Sequence, residues 1–138
     1  MNSRPTPSPF SPVQIGPLTL KNRFIKAATN EGMSAGGVPS KQLVKLHSAL
    51  VAGGTALTTV AYCAVSDDGR TLPNQLTLSQ SSLPHFRALT EGVHQAGGRI
   101  AMQILHAGRY AYSPKQVAPS AIQAPINPFK PRELDEAG

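Results

Sequence analysis

Two stretches decide the fold: AGGTALTTVAYCAV at 52–65 and AGGRIAMQILH at 96–106. Each opens on Ala-Gly-Gly, at 52–54 and again at 96–98, an offset of 44 residues. Each then runs into an apolar segment with the character of a buried strand, residues 56–65 and 100–105. Upstream of each lies a helical pattern. Ser40 reads as a helix N-cap ahead of Leu43, Leu46 and Leu50, which fall at i, i+3 and i+7 on one stripe. Ser82 reads as the cap of a second helix, with Pro84 in its tolerant first turn and Phe86, Leu89 and Val93 as its apolar stripe. Glycine accepts the left-handed conformation that ends a helix, so each Ala-Gly-Gly is a stop signal. Helix, glycine turn and buried strand, repeated, is the grammar of a parallel α/β fold.

Outward from this pair, residues 23–28 read as a first short buried strand, followed by a Gly-rich loop with Gly32, Gly36 and Gly37. Before it, apolar and polar residues alternate around Gly16-Pro17, with Val13 and Ile15 on one arm and Leu18 and Leu20 on the other, which predicts a β-hairpin. Residues 1–9 are Pro/Ser-rich and read as a flexible tail. Residues 10–138 form the remaining unit. The stretch 66–81 is polar, and everything from His106 onward is loop-like and rich in proline.

Composition narrows the function classes. The chain has 138 residues, 40% of them apolar, so the composition is that of a folded domain. Thirteen Lys+Arg against seven Asp+Glu give a formal charge of +6, which suits an anionic partner such as a phosphate-bearing cofactor. The basic residues are scattered and do not interleave with aromatics, which argues against nucleic acid and for a solvated surface. One cysteine, Cys63, excludes an internal disulfide and a Cys-rich zinc site, and its strand context reads as a small buried hydrophobe. The N-terminus lacks the apolar core of a secretory signal, and no apolar run reaches membrane-spanning length. The default expectation is therefore a cytoplasmic protein without a membrane partner.

In a parallel barrel the loops at the C-terminal ends of the strands gather on one face and build the site. The three predicted strands end at Ala27-Ala28-Thr29-Asn30, near Tyr62-Cys63, and at Gln103-Ile104-Leu105-His106. Two amides and a phenol hydroxyl beside an apolar wall suit a flat heterocycle with its own donors and acceptors. They do not suit a metal, because no His/Asp/Glu cluster has ligand spacing. Each residue also has a structural reading. Gln103 bonds a neighbouring backbone, His106 ends its strand, Tyr62 belongs to the core, and Asn30 makes a turn.

Four segments carry a resemblance. Gly16-Pro17-Leu18-Thr19-Leu20-Lys21-Asn22-Arg23 resembles the entry to the first barrel strand of the old yellow enzyme family. Gln103-Ile104-Leu105-His106-Ala107-Gly108-Arg109 resembles that family's signature at the end of the third strand. Val65 with Gly69-Arg70 is similar to its loop after the second strand, and Ala118-Pro119-Ser120 to the segment leading on from the third. Order and spacing agree over residues 10 to 136. The resemblance implies a (β/α)8 TIM barrel with non-covalent FMN at its C-terminal face. NADH or NADPH reduces the flavin, which passes hydride to a small unsaturated substrate, an activated alkene; some relatives act on dienoyl thioesters or amines. By position, Gln103 is similar to the glutamine that bonds the flavin pyrimidine edge. Ala27, Ala28 and Thr29 lie where the family's backbone lines the ring. Asn30 stands where Thr, Cys or His is common, facing the O4 region, and Tyr62 where a small residue is usual. Hydrogen bonds of this kind tune a ring that does the hydride chemistry itself.

The resemblance also implies what lies elsewhere. The family's substrate-anchoring His pair or His-Asn pair, a flavin-supporting arginine and the phosphate loops belong to later strands, so no catalytic residue is identifiable in this sequence. The expectation is a partial barrel of a hairpin, three parallel strands and two helices. It would be truncated, inactive and marginally stable alone, because open sheet edges invite pairing. The alternative is a non-catalytic remnant or partner subunit that associates with a related barrel protein by strand addition.

Overall fold

A computed structural model describes residues 6–136. Five short strands precede the first helix: β1 (Val13–Ile15), β2 (Leu18–Leu20), β3 (Ile25–Lys26), β4 (Ser34–Ala35) and β5 (Val38–Pro39). There follow α1 (Lys41–Ala52), β6 (Leu57–Ala64), α2 (Leu83–Gln95), β7 (Arg99–Leu105), β8 (Val117–Ala118) and β9 (Arg132–Glu133). The centre is a parallel sheet in the order β3-β6-β7, with Ile25 beside Leu57 and Leu57 beside Arg99. Parallel neighbours need crossovers, and α1 and α2 supply them. The architecture is the expected α/β one, a partial barrel with three parallel strands, two helices and the β1–β2 hairpin.

The core lies between the sheet and the two helices. Leu43 of α1, Val60 and Cys63 of β6, Leu76 from the loop, and Phe86 and Leu89 of α2 form one buried cluster, with Met33, Val44, Ile100 and Met102 packed against it. Burying side chains of this size from water stabilises by about 1.5–3 kcal/mol each before entropy is counted. Cys63 is fully buried, as its context predicts, and burial pushes its thiol pKa up.

Four details differ from the sequence reading. First, the β3 region is shorter than residues 23–28 and is not buried: Phe24 and Ile25 are exposed, because β3 sits at a sheet edge with β6 as its one partner. Second, the buried line of α1 is Leu43, His47 and Val51, at i, i+4 and i+8, while Leu46 and Leu50 are half-buried. The stripe is rotated toward a polar residue that a hydrophobicity pattern passes over. Third, Ser82 does not cap α2 with its side chain. Ser79 does the capping one turn earlier, where its hydroxyl accepts from Ser82 N–H and Ser82 Oγ accepts from Ser79 N–H, closing a 3-10 turn over Gln80–Ser82 that leads into the helix. Ser40 caps α1 as predicted, accepting from Leu43 N–H at 3.2 Å.

The fourth concerns the proline-rich end. A 3-10 turn covers Gly108–Tyr110, and β8 pairs in parallel with β9. Two buried amides tie the segment down. Asn127 Nδ2 donates to Ala111 O and to Gln116 Oε1, and Gln116 Nε2 donates to Phe129 O at 2.7 Å. Proline-rich segments supply few backbone donors, and side-chain amides take their place. Of the expected tail, residues 1–5 lie outside the described residues. Pro9 O accepts from Arg23 N–H at 2.9 Å, and Phe10 meets Phe24 edge to face at 5.2 Å. No helix among the described residues is long and apolar enough to cross a membrane.

Candidate functional site

Because β3, β6 and β7 are parallel, their C-terminal ends emerge on one side. The register between β6 and β7 is broken there. Val60 pairs with Met102 and Cys63 with Ile104, so Ala61 and Tyr62 together stand opposite the single residue Gln103. This is a β-bulge, the device that re-aims a side chain at a strand end. Tyr62 carries its cost: its φ is +65°, the left-handed region, and among the described residues it is the one non-glycine there. Such a conformation costs about 1–3 kcal/mol and persists where surrounding structure imposes it. Glycine, which has no Cβ, fits that backbone more easily than tyrosine.

Gln103 is exposed on β7, opposite the bulge. Asn30 is exposed at the end of the β3 segment and shares one crevice with Tyr62, together with Ser34 and Gln75. Asn30 Oδ1 accepts from Gly32 N–H at 3.1 Å, so the residue makes its expected turn while lining the crevice. Thr29 Oγ1 donates back to Ala27 O at 3.3 Å, and Ala27 and Ala28 add only methyl groups, which leaves their backbone approachable.

His106 follows its structural reading. Its Nδ1 accepts from Gly108 N–H, and its Nε2 lies 3.6 Å from Asp68 Oδ1. Its ring rests on Gly69 so closely that a Cβ there would sit 2.5 Å from His106 Cδ2. With Ala107 N–H donating to Gly69 O and Tyr112 N–H to Arg70 O, the loops after β6 and β7 are fastened together. The Asp68 carboxyl is held below its usual pKa, chiefly by a hydrogen bond from Ser66 and, less, by the neighbouring His106.

A group that the sequence reading passed over lies behind the β3 end. Lys26 pairs with Glu31, and the fully buried His47 faces both. His47 Nδ1 is 2.6 Å from Thr58 Oγ1, while its Nε2 has no hydrogen-bond partner. Burial lowers the His47 pKa, Glu31 partly offsetting this and Lys26 adding to it. The one available signal was His47 standing four residues after Leu43 on a helix that must bury a face.

The family model for NADH:flavin oxidoreductase / NADH oxidase matches residues 8–137. The chain belongs to that family. It is 46% identical over 129 residues to a 4,4'-dithiodibutanoate disulfide reductase of Rhodococcus erythropolis, covering 91% of this chain and 32% of that protein. It is 32% identical to an NADPH dehydrogenase of Listeria welshimeri, covering 91% of this chain and 38% of that one. Among solved structures, morphinone reductase in complex with tetrahydroNAD superposes with a TM-score of 0.86 at 25% identity, over 96% of this chain and 42% of that chain. The old yellow enzyme homologue from Zymomonas mobilis gives 0.81 at 28% identity, over 95% of this chain and 41% of that one. The chain thus spans between a fifth and two fifths of the length of the curated relatives it matches.

Proposed function

We propose that this chain supplies the first three strand ends of an FMN site in an NAD(P)H-dependent oxidoreductase that delivers hydride to an activated alkene. The observation that carries the reading is the bulge that sets Tyr62 opposite the exposed Gln103 and beside Asn30, on the side where the parallel strands end. The residues fit a flavin ring. Gln103 offers an amide that makes both donor and acceptor contacts, the pattern that a pyrimidine edge requires. Ala27, Ala28 and Thr29 present backbone with little side-chain bulk. FMN, when bound, supplies the hydride chemistry. Of the protein groups, Gln103 would hold the ring's oxygen and N–H edge and Asn30 would donate to its O4 region. Tyr62 would narrow the pocket beside that edge.

On this reading the substrate-binding residues belong to later strands of the whole enzyme, and this stretch would not turn over substrate by itself. Its 46%-identical relative is named for a disulfide substrate, which makes 4,4'-dithiodibutanoate a substrate to test beside an activated alkene. A second reading, association with a related barrel subunit, draws on the open edge of β7, where Ile104 is 61% exposed. The test is the visible absorption spectrum after FMN is added and excess removed, for the chain alone and joined to the later strands of its relatives. Protein-bound flavin that is lost on Gln103→Ala supports the flavin reading. A colourless joined protein refutes it, and co-purification with a full-length relative then favours the second reading.

A further inference from the structure

The segment that would line the flavin ring, residues 27–30, is bounded on both sides by charged residues that pair with each other. Lys26 is the last residue of β3, and Glu31 follows Asn30 directly. Lys26 Nζ donates to Glu31 Oε1, to Ala27 O at 2.9 Å and to Thr59 O on the neighbouring strand at 3.3 Å. The pair is largely withdrawn from water, the Glu31 side chain being 8% exposed and that of Lys26 19%. Behind it stands His47 from α1, its Nε2 3.9 Å from Glu31 Oε1 and its Nδ1 against Thr58 of β6. β3 and α1 therefore face the carboxylate of the loop after β3, and β6 holds both of their side chains from behind through Thr59 O and Thr58 Oγ1.

We propose that Glu31 is a positioning residue for the cofactor: its ion pair with Lys26 staples the two ends of residues 27–30 and so sets the backbone path the flavin ring would meet. The flavin half of this proposal rests on the function proposed above; the staple does not. Breaking a buried pair by removing one partner leaves an uncompensated charge, which must be hydrated by moving chain. Here the chain that must move is residues 27–30, because the ammonium already holds Ala27 O and is fixed to β6 through Thr59 O. His47 suits this arrangement as a neutral ring. With the Thr58 hydroxyl donating to Nδ1, an Nε2–H faces the carboxylate without adding a second cation beside Lys26.

The experiment compares Glu31→Gln and Glu31→Asp with the unaltered full chain, by amide chemical shifts, hydrogen exchange and FMN affinity. Glu31→Gln is expected to move the amide resonances of residues 27–30 and to speed their exchange about tenfold. It is also expected to weaken FMN binding about tenfold. Glu31→Asp, which keeps the charge, restores part of each. Unchanged resonances at residues 27–30 in Glu31→Gln overturn the staple. If that variant does not fold, the acid titration of the unaltered chain decides. Protonated His47 competes with Lys26 for the carboxylate, so resonances of residues 27–30 follow the His47 midpoint, and resonances that ignore it overturn the proposal. Shifted resonances with no FMN binding by the unaltered chain, alone or joined to the later strands, leave the staple standing and overturn the flavin half together with the function proposed above.

Discussion

The two Ala-Gly-Gly turns read alike in the sequence and are built differently. After α1, Gly54 is the left-handed residue, with φ +113°; Gly54 N–H donates to Val51 O and Thr55 N–H to Leu50 O. After α2, Gly97 takes that role, with φ +82°; Gly97 N–H donates to His94 O and Gly98 N–H to Val93 O. Both are Schellman caps, but the tripeptide is shifted by one residue along the motif. The first copy therefore spends Gly53 on an ordinary C-cap with φ −74°. The second has Gly98 left over, at the point where β7 begins. A Cβ on Gly98 would meet Cγ1 of Val51 and lie 2.7 Å from its Cγ2. The difference teaches that a glycine can answer to the backbone of its own turn or to a side chain on another element, and identical local sequence does not say which.

That contrast sets an order of effects. Gly98→Ala is expected to be the most damaging, at about 1–3 kcal/mol, because Val51 is β-branched, fully buried and unable to swing aside. Val51→Ala in the same chain should recover part of the loss, so a urea-unfolding double-mutant cycle should show coupling. Additive losses would mean that Gly98 serves the turn and not the contact. Gly54→Ala and Gly97→Ala come next, at about 1–2 kcal/mol each for a left-handed L-residue. Nothing lies within 4 Å of either added Cβ, so the backbone alone sets the cost, and Gly54→Ala should lose more, because φ +113° lies further from the left-handed well than +82°.

The two helices differ in their buried faces as well, and acid should expose this. α2 buries Phe86, Leu89 and Val93, whereas α1 buries His47 between Leu43 and Val51. Well above pH 6.5 both folded and unfolded chains hold His47 neutral, and its protonation makes no difference to stability. As pH falls below that value the unfolded chain takes up the proton first, because burial depresses the folded pKa, so stability declines until the folded state protonates too. His47→Gln should flatten this part of the pH profile, measured as the urea midpoint between pH 7 and 5. An unchanged profile would mean that His47 is not the titrating group. The smallest effect belongs to Gly53→Ala. Its φ is ordinary and its added Cβ would lie 3.3 Å from Ala49 O, so unfolded-state entropy and mild crowding should cancel to within about 0.5 kcal/mol. A loss there as large as at Gly98 would break the comparison.

Much of the parallel core was legible. The 44-residue repeat, the Ser40 cap, the stripe of α2 and the two apolar runs each agree with an element, because periodicity and glycine punctuation are local properties of the chain. At the candidate site the sequence named Gln103, Tyr62 and Asn30 but not how they meet. The bulge that sets Tyr62 against Gln103 appears only when two strands are aligned, and no local pattern marks a two-against-one pairing. Ser82 was read as a cap because it precedes an apolar stripe. Ser79 won because a 3-10 turn let two serines satisfy each other's backbone.

By itself, then, the sequence determined which segments are helix, turn and strand in the repeated core, that its strands run parallel, and which side chains stand at their ends. Those properties follow from patterns a few residues long. Tertiary structure alone decided that Lys26, Glu31 and His47 share one buried site, that Gly98 must stay bare for Val51, and that Tyr62 takes a strained backbone opposite Gln103. Each of these depends on groups distant along the chain brought within a few ångströms, where burial raises the cost of an unpaired charge and close packing leaves no room for one extra methyl.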